Sequence, residues 1–120
     1  MKTSSKKGKG RRLQNFVRDE LVKSFPSLEN DDIKVAIMGE NGEDIKLSPA
    51  AKRIIPYSFE CKNQERLSIW EALNQAEENC EDRVPILVFK RNRSKTYAVI
   101  EFDSFLNLIG EDNDRETNTT

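Results

Sequence analysis

The chain reads as one small α/β domain, a mixed central β-sheet flanked by helices in the order α-β-β-β-α-β-β-α. Three features predict this class. Two helical apolar stripes are separated by short alternating segments, a continuous apolar run follows the second stripe, and the length of 120 residues leaves room for one modest core.

Residues 1–10 are rich in Lys, Ser and Gly and are expected to form a disordered basic arm. Leu13, Phe16, Val17 and Leu21 recur at helical spacing and Pro26 ends the run, predicting a helix over 11–25. Ile33, Val35 and Ile37 alternate with polar neighbours as a strand does, and Gly39-Glu40-Asn41-Gly42 supplies a hairpin turn. Ile45 and Leu47 make a return strand. Ser48-Pro49 breaks it, a helical turn through Ala50–Ile55 follows, and Pro56 closes that excursion.

Tyr57, Phe59 and Cys61 then alternate with Ser58, Glu60 and Lys62, predicting a strand with one apolar and one polar face. Ser68 and Glu71 have the spacing of a capping box, and Ile69, Trp70, Leu73 and Ala76 give the next helix, ending near Asn79, an apolar stripe. Trp70 and Phe59 are expected in the core. Ile86–Phe89 fits a strand covered on both faces, paired as a hairpin with the segment of Tyr97, Val99 and Phe102. Asp103 can cap a last short helix bearing Phe105, Leu106 and Ile109. The folded domain is expected over 11–109, with 110–120 a disordered acidic tail.

Composition narrows the chemistry. The chain has no histidine, which excludes Ser-His-Asp, Cys-His and histidine-metal hydrolases and leaves carboxylate and lysine chemistry. That chemistry suits a hard cation such as Mg²⁺. Cys61 and Cys80 form no Cys-x-x-Cys pair and are expected to stay reduced. The apolar stretches are too short to cross a bilayer, and the basic N-terminus lacks the apolar core of a signal peptide. A soluble cytoplasmic protein with no membrane partner is expected.

The net charge of −1 conceals segregation. Lys6, Lys7, Lys9, Arg11 and Arg12 crowd the N-terminus, and Lys90, Arg91, Arg93 and Lys95 a later turn. Local positive charge of this kind fits contacts to DNA phosphates. Taken singly, each run is equally a solvated tail or turn.

Residues two apart on a strand share a face, so Glu60 and Lys62 should point the same way with Cys61 behind them. Asp44, just past the Gly42 turn, can join them if the two segments pair, offering two carboxylates to Mg²⁺. The acid-x-Lys pattern occurs also at Asp32-Ile33-Lys34 and Asp44-Ile45-Lys46, so pattern alone does not choose. Glu60 and Lys62 also fit an ordinary surface ion pair, and Asp44 a turn acid.

The run Gly42-Glu43-Asp44-Ile45, followed after Phe59 by Glu60-Cys61-Lys62-Asn63, resembles the PD-(D/E)XK nuclease superfamily, and within it the small archaeal-type Holliday junction resolvases. Similar short proteins are encoded by phages, for which the host cytoplasm would be the expected location. The resemblance spans about residues 9–106 and implies a restriction-endonuclease-like fold. It implies catalysis by Asp44, Glu60 and Lys62, with metal held by Asp44, Glu60 and the backbone carbonyl of Cys61. Gln14 stands where the family has a helix-one Glu after a basic residue and glycine, here Lys9 and Gly10, and an amide there can hold a metal-bound water. Glu43 occupies the place of the usual proline, and Gln75 that of a frequent active-site glutamine. The function implied is Mg²⁺-dependent cleavage of four-way DNA junctions by a homodimer, with Mn²⁺ substituting. The residues leave open another nuclease activity, nicking or trimming, and a DNA-binding module without catalysis.

Overall fold

The computed structural model describes the backbone of residues 3–118 and the side chains of residues 8–110. Leu13 and Val17, one helical turn apart, are buried and fix helix α1 (Thr3–Ser24) against the sheet. The helix begins at Thr3 rather than Arg11, so residues 3–10 of the expected disordered arm are helical. Elongation from a packed segment needs no new nucleus, which is the costly step. Arg18 secures the helix by donating from Nε to the Ile33 carbonyl at 2.8 Å and from Nη2 to that of Asn30 at 2.6 Å.

β1 (Ile33–Val35) pairs antiparallel with β2 (Ile45–Leu47), Ile33 opposite Leu47 and Val35 opposite Ile45. Ile37 lies beyond the strand and is exposed. The intervening turn passes through Gly39 (φ 84°) and Gly42 (φ 97°), a backbone region that favours glycine. Ser48 caps α2 (Pro49–Ile54) by accepting from the Ala51 N–H at 3.1 Å.

The main sheet has the order β3-β4-β5, built from β3 (Tyr57–Asn63), β4 (Val84–Lys90) and β5 (Tyr97–Val99). β3 and β4 run parallel, joined by α3 (Ile69–Asn79), whereas β4 and β5 form the antiparallel hairpin. α4 spans Phe102–Asn118. The α/β class is as expected, but the short helix α2 interrupts the expected run of three strands, and the strands divide into two sheets rather than one. The division has a local cause. Asp44 donates its backbone N–H to the Phe59 carbonyl at 3.2 Å, but its carboxylate, not its backbone, accepts the next N–H of β3.

One face of the main sheet shares a core with α1 and the β1–β2 hairpin, made of Leu13, Val17, Ile33, Ile45, Ile55, Cys61, Ile86 and Val88. α3 covers the other face, where Ala72, Ala76 and Leu87 are buried. Its inward stripe is Ile69, Ala72, Leu73 and Ala76. Trp70 falls one residue off that stripe and is 79% exposed, correcting its assignment to the core, while Phe59 packs against the core as expected. Ser68 is the N-cap of α3, but its hydroxyl makes no capping hydrogen bond, so the expected capping box does not form. Asp103 sits inside the first turn of α4 rather than capping it, and Phe102 belongs to that helix rather than to β5. The helix runs into the expected tail as far as Asn118. Among the described residues no helix is long and apolar enough to cross a membrane.

Candidate active site

β3 carries Glu60 and Lys62 on the face covered by α3, and the Gly42 turn delivers Asp44 to the strand's edge. The Asp44 Oδ2 accepts the Cys61 N–H at 2.7 Å, which locks its carboxylate beside β3. Lys62 Nζ lies 3.7 Å from Oε2 of Glu60. Glu60 itself is 3% exposed, and its Oε1 is buried with no hydrogen-bond partner. The polar face expected on β3 is therefore enclosed, with Ser58 buried as well.

Two carboxyls enclosed together cannot both ionise freely. Burial first, and then the Asp44 charge, push the Glu60 carboxyl up to about 7, against the opposing pull of Lys62 and Asn79. Asp44 is also raised, chiefly by burial, with the Cys61 N–H and Lys62 acting the other way. Burial and the two acids raise the Cys61 thiol, so it stays protonated and is neither a nucleophile nor a thiolate ligand. Its backbone carbonyl is the group it can offer a cation.

Such a pair fits a divalent cation. A hard dication would neutralise both acids and occupy the unpartnered Oε1 of Glu60. Among the described residues no group of three or more acidic or cysteine side chains assembles as a complete ligand set. Asp44 and Glu60 would then share the ion with the Cys61 carbonyl, water and a substrate phosphate, as Mg²⁺ with few protein ligands does.

Gln14 and Asp44 line one cavity of about 250 Å³ together with Gly39 and Glu40 of the turn. Gln75 is exposed and shares a small cavity of about 130 Å³ with Lys62 and Ala72, on the other side. The rival acid-x-Lys pair is occupied structurally. Asp32 accepts from the Ser48 hydroxyl at 2.6 Å and from the Glu29 N–H at 2.8 Å, and these bonds lower its pKa. In the third pair, Lys46 Nζ donates to the Asn41 carbonyl at 2.7 Å and supports the turn.

The expected DNA-contacting residues divide. The side chains of Lys6 and Lys7 lie outside the described residues. Lys9 lines a cavity of about 700 Å³ together with Cys61, Lys62, Asn63 and Arg66, and pairs with Glu65 at 3.6 Å. Arg12 and Lys90 line a neighbouring cavity of about 300 Å³. Arg11 instead donates to the Ala36 carbonyl at 2.7 Å, fastening α1 to the end of β1. Arg91, Arg93 and Lys95 are exposed on the β4–β5 turn.

Two contributors have no sequence signal. Glu43 and Arg83 are buried together, Nη2 to Oε1 at 3.4 Å, and Arg83 also donates to the Tyr57 carbonyl at 3.3 Å. This pair pins the turn bearing Asp44 to the start of β3. Asn79, at the end of α3, comes close enough to Glu60 to influence its proton. Compared with known proteins, the chain matches no family model, no curated protein and no solved structure.

Proposed function

We propose that this protein is a Mg²⁺-dependent, structure-selective DNA endonuclease that acts on four-way junctions in the manner of a Holliday junction resolvase. One observation carries the proposal: two enclosed carboxylates, Asp44 and Glu60, meet Lys62 at the rim of a cavity lined by Lys9 and Arg66. A polyanionic strand brought to that rim places a phosphate where acids, ammonium and water converge.

Asp44 and Glu60 would hold Mg²⁺, or Mn²⁺ in its place, with the Cys61 carbonyl completing the protein's share. The bound ion supplies neutralisation of the scissile phosphate and a more acidic water. Lys62 holds the attacking water or the charge that grows on the phosphoryl oxygens, a fixed cation needing no reorganisation. Gln14 steadies a water on the Asp44 side, and Gln75 helps place the strand near Lys62. Water adds to phosphorus, the P–O bond to one sugar breaks, and the departing oxygen takes up a proton. Lys9, Arg12, Lys90, Arg91, Arg93 and Lys95 bind the flanking phosphates.

Paired cuts across a junction require two such sites, which a twofold homodimer supplies. The exposed apolar stripe of Phe102, Phe105, Leu106 and Ile109 on α4 supports a second copy as partner. The test is cleavage of linear, nicked, flapped and four-way DNA in Mg²⁺. Symmetrical nicks about the crossover, made far faster than cuts in linear duplex, are expected. Equal cutting of every substrate would leave a general nuclease, and no cutting would leave a DNA-binding module.

A further inference from the structure

Lys62, Phe89 and Tyr97 occupy one register row across the main sheet, Lys62 opposite Phe89 on β4 and Phe89 opposite Tyr97 on β5. Register partners share a sheet face, so an aromatic row runs outward from the catalytic lysine in steps of about 4.8 Å. The Phe89 and Tyr97 rings pack at 34°, with centroids 6.1 Å apart. With Leu67 and Ile69 they line a cavity of about 280 Å³ whose polar lining includes Lys90 and Arg91. That cavity shares Gln64 and Glu65 with the larger one at Lys62, so the two adjoin.

The slot is held open by its own hydrogen bonds. Arg91 donates its backbone N–H to the Ser94 hydroxyl at 3.0 Å, and Asn92 donates to Glu65 at 2.6 Å. The second bond ties the basic turn to the loop after β3. Tyr97 remains 54% exposed and lines the cavity beside Lys90 and Arg91. Flat apolar walls with guanidinium and ammonium groups at hand suit a nucleobase and its phosphate: the base stacks, and the phosphate meets the cations. A base within a duplex cannot enter, because its neighbours already cover both its faces.

We infer that this cavity takes one unstacked nucleobase of the strand being cut, adjacent to the scissile phosphate. The bond cleaved then lies beside an unpaired base or a base at a branch point, where one stacking neighbour is missing. Where the strand lies relative to the slot rests on the nuclease reading, whereas the slot's affinity for a base does not.

Equilibrium binding in EDTA separates the two. The probe is a single-stranded oligonucleotide with one 2-aminopurine, beside the same sequence as duplex and as a strand with an abasic position. The wild-type protein should quench the 2-aminopurine. Tyr97→Ala should lose roughly five- to a hundredfold in affinity for the single strand, the span of one base–aromatic stack. Duplex affinity should stay unchanged, and Tyr97→Phe should bind as wild type does. Unaltered single-strand binding by Tyr97→Ala, an equal loss on duplex, or equally tight binding of a free nucleoside monophosphate overturns the inference. Cleavage in Mg²⁺ without stacking sinks this inference alone, and stacking without cleavage sinks the nuclease reading alone.

Discussion

Glu60 is the residue on which chemistry and stability meet. In the folded state its carboxyl keeps a proton up to about 7, against 4.5 ordinarily, so the folded protein binds more protons than the unfolded chain between those values. The contribution of Glu60 to stability without metal is therefore full below the lower value and is lost as pH rises to about 7, and the raised Asp44 adds to the same trend. Glu60→Gln should flatten this slope and, at pH 8 in EDTA, stabilise the fold by on the order of 1–3 kcal/mol, as thermal melts would show. A melting temperature that rises from pH 5 to 7 would contradict the enclosure of the pair. Added Mg²⁺ should restore stability most at the higher pH, since the cation competes with protons for the same oxygens. The sequence marked Glu60 and Lys62 by their shared strand face, and Asp44 by its place after a turn. It could not separate them from Asp32 and Lys34, because the distinction lies in bonds that Ser48 and Glu29 make to Asp32. Asp32→Ala should accordingly lower the melting temperature only modestly and leave cleavage intact.

At the level of elements, the site depends on where the β1–β2 turn is set down. Gly42 has φ 97°, and a Cβ there would meet Lys46 Nζ at 2.8 Å, so Gly42→Ala should strain the turn and misplace Asp44. Cleavage should fall more steeply than stability. The buried Glu43–Arg83 pair holds the same turn from the other side. Arg83→Ala leaves a buried carboxylate unpaired and should cost about 3–5 kcal/mol, while Glu43→Leu with Arg83→Met should recover much of that loss. Chemical denaturation measures both, and an Arg83→Ala protein as stable as wild type would remove the pair from the account. The turn itself was legible in Gly39-Glu40-Asn41-Gly42, and the strand covered on both faces in the apolar run at Ile86. The pair was not, because Glu43 and Arg83 lie far apart in sequence and neither falls in a periodic pattern. Trp70 was misplaced for a related reason: an apolar residue beside a stripe resembles part of it until the helix is rotated against a sheet.

At the level of the whole molecule, basic residues far apart along the chain are brought together. Lys9, Arg12, Lys62, Arg66 and Lys90 line adjoining cavities, whereas the open apolar stripe lies on α4. Deleting residues 1–10 removes Lys6, Lys7 and Lys9 and should flatten the salt dependence of DNA binding, since released counterions scale with phosphates neutralised. The overall α/β class followed from the order of periodic segments. The extent of α1 did not, because helix elongation from a packed turn depends on that packing rather than on the composition of the extension. The central claim is that Asp44 and Glu60 hold the ion that cuts DNA. It is tested most directly by cleavage of a four-way junction in Mg²⁺ and in EDTA by wild-type protein and by Glu60→Gln. The wild type should cut in Mg²⁺ alone, and Glu60→Gln should bind the junction yet cut it roughly 10²–10³-fold more slowly. Wild-type cleavage in EDTA, or full activity of Glu60→Gln, would contradict it.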